Sequence, residues 1–324
     1  MAPGGYDPPA VPSWLLKAAA QGTISLLPGR HRLNSLLQRH LTGTLALGEA
    51  LFETKVGQCR HHLQRFRQLS GLQRPPDAAL ELGTGWYPVV PIGLALAGTG
   101  AVTTIDVSSL LERERVRRTV ALYASALESG RLRDALPRID SGRAAQVLAA
   151  SRAPKALCPT ELLAVVGVRA VVGDVRAARL PADSTELLVS NNTLEHIPPC
   201  TLVEILAELR RLAAAGAVMD HFVDISDHYA HFDRSISEFN YLRFPPAVWR
   251  LFNNPLQYQN RLRASDYRNL IEGAGFRVVD EETERGEAAH LERLKVVAAF
   301  RRYSRDDLLV LRAWFTAVAD RPAA

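Results

Sequence analysis

The sequence predicts an α/β protein: a doubly wound, Rossmann-like, mostly parallel seven-stranded sheet, with an N-terminal helical segment before it and a helical insert within it. Three observations predict this. Short apolar runs alternate with helical stretches along residues 78–300, the pattern of strand–helix–strand crossovers. A glycine-rich turn, Glu81-Leu82-Gly83-Thr84-Gly85, directly follows the first apolar run. Asp106 closes the next run, 21 residues beyond Gly85.

The elements follow in order. Residues 1–12 are rich in proline and glycine and read as loosely packed. From Trp14 to about Ser70 the pattern is helical, with Leu36, Leu37, Leu41, Leu45, Leu47 and Leu51 at helix-like spacing. Pro28-Gly29 breaks this stretch and Pro75-Pro76 ends it, so residues 1–74 read as a helical cap or lid. A strand at Ala78–Leu82, a helix at 89–97 and a strand at 101–105 form a unit of about 30 residues, the size of a parallel crossover. Residues 110–166 read as a helical insert, longer than the connections usual in such folds. Strands follow at Val168–Val172, 185–190 and 217–223, with helices at 202–212 and 265–273. Residues 276–282 and 294–300 read as a closing strand pair, and 306–319 as a final helix. The core therefore spans 75–302, with a lid over the site at 224–263 and a C-terminal helical segment at 303–324.

Composition narrows the class. The chain has 324 residues, 47% of them hydrophobic, enough for a sizeable core. The net charge is +5, spread over helical stretches rather than gathered into a block, so a nucleic-acid arm is not expected. A solvated basic face and a face that attracts an acidic substrate both fit. Cys59, Cys158 and Cys200 are widely spaced and form neither a disulfide framework nor a thiolate metal site. The first residues lack the pattern of a signal peptide, and no apolar run is long enough to span a bilayer. A cytoplasmic protein that does not bind membranes is expected.

The glycines of the turn after the first strand let the backbone bend sharply and admit a ligand to van der Waals distance. A carboxylate at the end of the second strand, Asp106, can accept hydrogen bonds from a ribose diol. The third glycine of a dinucleotide fingerprint is replaced by Pro88, with Trp86-Tyr87 before it. No pyrophosphate then needs to sit on the following helix, which disfavours an NAD-dependent oxidoreductase.

With these residues the chain resembles the class I S-adenosylmethionine (SAM)-dependent methyltransferases over roughly residues 76–302. The resemblance rests on the Glu81–Gly85 turn, Asp106, Gly173-Asp174-Val175, and the stretch Ser190-Asn191-Asn192-Thr193-Leu194-Glu195-His196-Ile197. It implies SAM as cofactor. Glu81, Gly83, Thr84 and Gly85 would line the methionine moiety, Asp106 with Val107 the ribose, Asp174 with Val175 the adenine, and Asn191 would lie near cofactor and acceptor. A narrower resemblance, carried by residues 224–228, 242–244, Trp249 and 258–263, is to bacterial methyltransferase-domain proteins of polysaccharide or natural-product biosynthesis.

Residues 220–240 concentrate Asp220, His221, Asp224, Asp227, His228, His231 and Asp233, on a loop that faces the ligand crevice in such folds. Three readings stay open. One histidine, among His196, His221, His228 and His231, is the general base. Alternatively His228, His231, Asp224 and Asp227 hold a divalent metal. Or the groups only cap the loop. Tyr241, Phe244, Trp249, Phe252 and Tyr258, interleaved with Arg243, Arg250, Arg261 and Arg263, suit either an acceptor lid or a packed cap.

The reaction expected is methyl transfer to an oxygen or nitrogen of a small-molecule, sugar or natural-product acceptor, not of nucleic acid. The alternatives are a peptide carboxylate methyltransferase, or a SAM-binding protein that performs other chemistry or serves as a binding partner. The N-terminal helices could also form a homodimer surface.

Overall fold

A computed structural model describes residues 12–25, 47–153 and 156–320. The proline- and glycine-rich start, the leucine pattern at 36–45 and the Pro28-Gly29 break lie outside the described residues.

Seven strands form one sheet: β1 Ala78–Leu82, β2 Ala101–Asp106, β3 Val168–Val172, β4 Thr185–Asn191, β5 Ala213–Asp224, β6 Phe276–Arg285 and β7 Val310–Ala319. Their order is β3-β2-β1-β4-β5-β7-β6. The first five run parallel, and β7 enters antiparallel between β5 and β6. The strand order reverses at β1, which has β2 on one side and β4 on the other. Parallel α/β sheets bind ligands at such a switch point, outside the carboxyl ends of the strands.

Alternate strand residues point to opposite faces and feed two cores. Ala79, Val102, Leu187, Val189 and Val218 pack under helices α2 Glu49–Ser70, α3 Val89–Leu96 and α4 Arg113–Glu128. All of α3 is buried, because α2 lies over it, and a helix apolar all round belongs inside. The insert comprises α4, α5 Leu132–Ala135, α6 Ser141–Ser151 and α7 Pro159–Val165, on this same face. It does not displace the strand ends it separates in sequence, since Asp106 pairs with Val172 in register. Leu80, Ile105, Leu188, Met219 and Val223 face the other way, toward α8 Pro199–Leu212 and α10 Ala264–Gly273.

A third cluster caps the carboxyl edge. Trp14 of α1 Ser13–Ser25 meets Tyr229, Phe244 and Phe252 with ring centroids 5.1–5.7 Å apart, beside Trp249 of α9 Pro246–Phe252. Ser13 Oγ and the Trp14 amide donate to Asp233, at 2.7 and 3.0 Å. The N-terminal segment is therefore divided: α1 joins the cap, and α2 is part of the sheet's own core.

Two expectations are corrected. Residues 306–319 are not a helix: α12 Arg305–Leu309 is one turn, and the rest is β7, so the sheet runs to Ala319 rather than ending at 302. β7 is enclosed on both faces, so its apolar run is almost continuous and has no period to tell strand from helix. Residues 294–300 are not a strand. They follow α11 Ala288–Glu292 and end in a short turn at Ala298–Phe300, and their apolar side chains serve the cap rather than the sheet.

Among the described residues no helix is long and apolar enough to cross a membrane.

Candidate functional site

The turn after β1 is built as its glycines suggest. Gly83 and Gly85 both take left-handed backbone, at φ +84° and +64°. The two have different reasons to be glycine. A Cβ on Gly83 would lie 2.2 Å from Thr193 Oγ1, whereas a Cβ on Gly85 would meet nothing within 4 Å. Gly83 is thus fixed by the chain's own packing, and only Gly85 borders space that a ligand could fill. Gly83→Ala should therefore cost about 2–4 kcal/mol of stability, from left-handed strain and overpacking. A second substitution, Thr193→Ala, removes Oγ1 and Cγ2 but keeps the Cβ, 2.9 Å from the Gly83 Cβ position, and should recover part of the steric cost; chemical denaturation of the single and double variants checks this.

Carboxylates frame the turn. Glu81 is buried, accepts from Thr104 Oγ1 at 2.6 Å, and faces Lys55 of α2. Burial raises its pKa to about 7, against the hydrogen bond from Thr104 and the positive charge of Lys55. Thr84 Oγ1 lies 2.5 Å from Thr104 Oγ1. Asp106 accepts from the Gly85 amide and the Ser108 amide, each at 2.9 Å, so it is tied to the turn it serves. Val107 beside it is exposed. Trp86 lies under the guanidinium of Arg115, 4.0 Å from the ring centroid, so the insert's first helix braces the turn.

At β3, Asp174 accepts from the Arg176 amide at 2.9 Å and pairs with its guanidinium, which holds its carboxyl below the usual range. Val175 is buried in the second core. At β4, Asn191 is buried and its Nδ2 lies 3.1 Å from His62 Nε2, while its Oδ1 has no partner among the described residues. Asn192 turns the chain at φ +51°, a conformation asparagine tolerates.

Strand alternation splits the residues that sequence groups together after β4 and β5. Asp220 and Phe222 point toward α2, and His221 points away. His221 is fully enclosed, with Nδ1 2.8 Å from Ser190 Oγ, and burial lowers its pKa to about 3. A general base must reach the acceptor's proton, so the expectation of a base at His221 is corrected to a packing role. Asp224 and Asp227 turn inward as loop caps. Asp224 accepts from the Ser226 amide at 3.0 Å and Asp227 from the Tyr229 amide at 2.8 Å; burial pushes Asp227 up to about 6. His231 Nε2 is 3.0 Å from Ser226 Oγ. The structure thus does not gather Asp224, Asp227, His228 and His231 around one point. It brings together Glu195, His196 and His228 instead.

The cap arginines are structural as well. Arg261 stacks on Trp249 and Phe300 and donates to the Tyr241 and Phe244 carbonyls. The buried Arg263 donates to the Leu308 carbonyl and the Tyr241 hydroxyl. Neither is free to bind a substrate anion, so for these two the packed-cap reading holds.

Sequence reasoning missed the dyad on α2. Asp220, wholly buried, takes His62 Nδ1 at 2.7 Å, His61 Nδ1 at 3.1 Å and Thr316 Oγ1 at 2.8 Å. These partners hold its carboxyl far below the usual range despite burial. The Asn191 amide on His62 Nε2 fixes Nδ1–H as the donor to Asp220. His61 is the partly exposed end of the network. Its Nε2 lies 3.3 Å from Glu282, and its ring lies 3.8 Å from Trp314. Burial pulls its pKa down, but Asp220 and Glu282 outweigh that and raise it. His61 lines a cavity of about 640 Å³, whose apolar lining is Leu51, Phe222 and Trp314 and whose other side chains are mostly polar or charged, Lys55, Gln58, Asn192, Glu284 and Arg312 among them. The signal in sequence was His61-His62 on an otherwise amphipathic helix, in a segment assigned to a cap.

No protein-family model and no curated protein matches the chain. Solved structures do. A candidate sarcosine dimethylglycine methyltransferase from Galdieria sulphuraria aligns at 9% identity over 81% of this chain and 85% of its own, with a TM-score of 0.45. A geranyl diphosphate methyltransferase, bound to GPP and sinefungin, aligns at 13% identity over 81% and 76%, at 0.44. Phosphoethanolamine N-methyltransferase 2 of Haemonchus contortus, bound to SAM, aligns at 11% over 89% and 60%, at 0.43. Similarity at this level concerns the course of the chain and carries nothing about acceptor or reaction. The seven-stranded order with β7 antiparallel, read with the glycine turn at its switch point, gives the chain a doubly wound Rossmann-like fold.

Proposed function

We propose that this protein is a SAM-dependent methyltransferase that methylates an oxygen or nitrogen of a small-molecule, sugar or natural-product acceptor. The observation that carries the reading is the turn at the switch point. Gly85 is left-handed beside open space, its amide is held by Asp106, and Glu81 precedes it.

The residues fit the cofactor. Asp106 would take the ribose diol, as the acidic residue at the end of the second strand does in such folds. The Glu81–Gly85 turn would take the methionine part. Asn191 Oδ1, buried without a partner among the described residues, is an acceptor that a ligand at the β4 tip would satisfy. Asp174, though paired with Arg176, is one-third exposed and can still accept from an adenine amino group. When bound, SAM supplies an electrophilic methyl group on a sulfonium.

The chain's own residues do the rest. The cavity beside α2 is of ligand size; Leu51, Phe222 and Trp314 give it an apolar part, and the rest of its lining is polar, suited to a polar acceptor. Phe222 and Trp314 would exclude water from the reacting atoms, and Lys55, Gln58 and Asn192 would orient the acceptor. His61 would take the acceptor's proton at Nε2, while Asp220 holds Nδ1–H and stabilises the cation that forms, the logic of an Asp–His pair.

Two outcomes test the cofactor end. Gly85→Ala should cost only about 1 kcal/mol of stability, from its positive φ, yet lose most SAM affinity, because the new methyl enters the ligand's space. Calorimetric titration of the folded variant reads this directly. SAM affinity should also rise with pH. The sulfonium favours ionised Glu81, whose pKa in the free protein is about 7. Between pH 6 and 8 its ionised fraction grows up to about tenfold, so affinity should rise by up to that factor, and the slope should vanish in Glu81→Gln.

Turnover itself is tested by incubating the protein with SAM and panels of hydroxylated and amino small molecules. Formation of S-adenosylhomocysteine with one added CH2 on an acceptor is expected. Tight SAM binding with no product from any class of acceptor would count against methyl transfer.

A further inference from the structure

A second polar cluster stands on the carboxyl rim, apart from the Asp220 dyad. One carboxylate oxygen of Glu195, one ring nitrogen of His196 and one of His228 all lie within 4.8 Å of one another. Three chain segments build it: the turn Leu194–His196 after β4, the loop after β5, and residues 258–260. Two of its atoms lack a partner among the described residues. Glu195 is 1% exposed, and its Oε2 is unbonded; its Oε1 accepts from the Asp224 amide at 3.4 Å. His228 Nε2 is likewise buried and unbonded. Such groups are costly to leave unsatisfied.

Both histidines have one nitrogen already committed. His196 Nδ1 lies 2.7 Å from the Tyr258 carbonyl, which can only accept, so Nδ1 carries the proton and Nε2 presents a lone pair. His228 is bonded to the Asp224 main chain, which leaves Nε2 as its open nitrogen. Metal-ligating histidines are oriented in this way, by a hydrogen bond from the second ring nitrogen to a carbonyl or carboxylate. The turn that carries Glu195 and His196 is pinned in turn. Asn260 Nδ2 donates to the Leu194 and Ile197 carbonyls at 2.9 and 3.0 Å, and Tyr267 Oη donates to Asn260 Oδ1 at 2.9 Å.

We infer that Glu195, His196 and His228 form a site for one first-row divalent metal ion of the zinc class. Two neutral imidazoles and a carboxylate are the donor set of open sites for zinc or non-haem iron, and too nitrogen-rich for magnesium or calcium. His196 is exposed, which gives the ion a route in and leaves a coordination position facing solvent. A metal there would fasten the turn after β4 to the loop after β5 and offer that position to an oxygen or nitrogen donor. Metal binding is independent of whether the protein transfers methyl groups.

The test is titration of the metal-stripped full chain with Zn2+, with Co2+ as a spectroscopic probe and Mg2+ as a control. The wild type should bind one Zn2+ with micromolar or tighter affinity, show cobalt d–d bands of nitrogen-ligated metal, and ignore Mg2+. His196→Ala, at an exposed position, should melt like the wild type and lose at least about a hundredfold in Zn2+ affinity. Glu195→Gln, which keeps the shape, should lose the same within a factor of ten, and His61→Ala should bind normally. Wild-type protein that takes up no Zn2+, a His196→Ala variant that binds as the wild type does, or binding lost in His61→Ala instead would each overturn the assignment.

Discussion

Asp106→Ala should weaken SAM binding about a hundredfold or more. A hydrogen bond to a charged group contributes about 1.5–3 kcal/mol, and a ribose diol would make two. Even the lower end of their sum, about 3 kcal/mol, is a factor of more than a hundred. The variant also frees the Gly85 and Ser108 amides, so the turn loses the anchor that shapes it. Asp106→Asn keeps one acceptor oxygen and should lose less, on the order of tenfold. Calorimetric titration of both variants, with melting curves to show that they fold, reads the effect. Unchanged affinity in Asp106→Ala would remove the ribose assignment.

His61→Ala should lower turnover by about 10²–10³, within the range a positioned base contributes, and leave SAM affinity within about twofold. The split matters because a residue that merely held α2 in place would disturb both. The pH profile gives a further sign. The active form is neutral His61, whose pKa lies above 6.5 because Asp220 and Glu282 outweigh burial. The rate should therefore fall as pH drops through that raised value. Glu282→Gln removes one of the two raising partners, so the limb should move to lower pH and the relative rate near pH 6.5 should rise. A profile identical in the wild type and Glu282→Gln would take His61 out of the proton transfer.

What was legible in the sequence follows from where periodicity and turn chemistry are strong. β1 and β3 stand at their expected bounds, and β2 and β4 one residue longer, because each is a short apolar run closed by a turn residue. The glycine turn and Asp106 were found because glycine and a strand-end carboxylate answer a local need. β7 was missed because a strand buried on both faces reads as an apolar block, and α12 before it supplied a helical start. Within the candidate site the limit was different. Sequence placed Asp220 and His221 side by side, but alternation sends one to the cavity side and seals the other against Ser190. His61 and His62 reach Asp220 across more than 150 residues of chain, and no local pattern announces such a contact. The ligand atoms gathered around His228 come from Glu195 and His196, in the turn after β4 and more than 30 residues away in the chain.

The central claim is tested most directly by isothermal titration of the purified protein with SAM, S-adenosylhomocysteine and NAD. Micromolar binding of SAM and S-adenosylhomocysteine at one site per chain, with no heat from NAD, is the predicted result. A folded protein that binds neither sulfur nucleotide, or that binds NAD in their place, would contradict it.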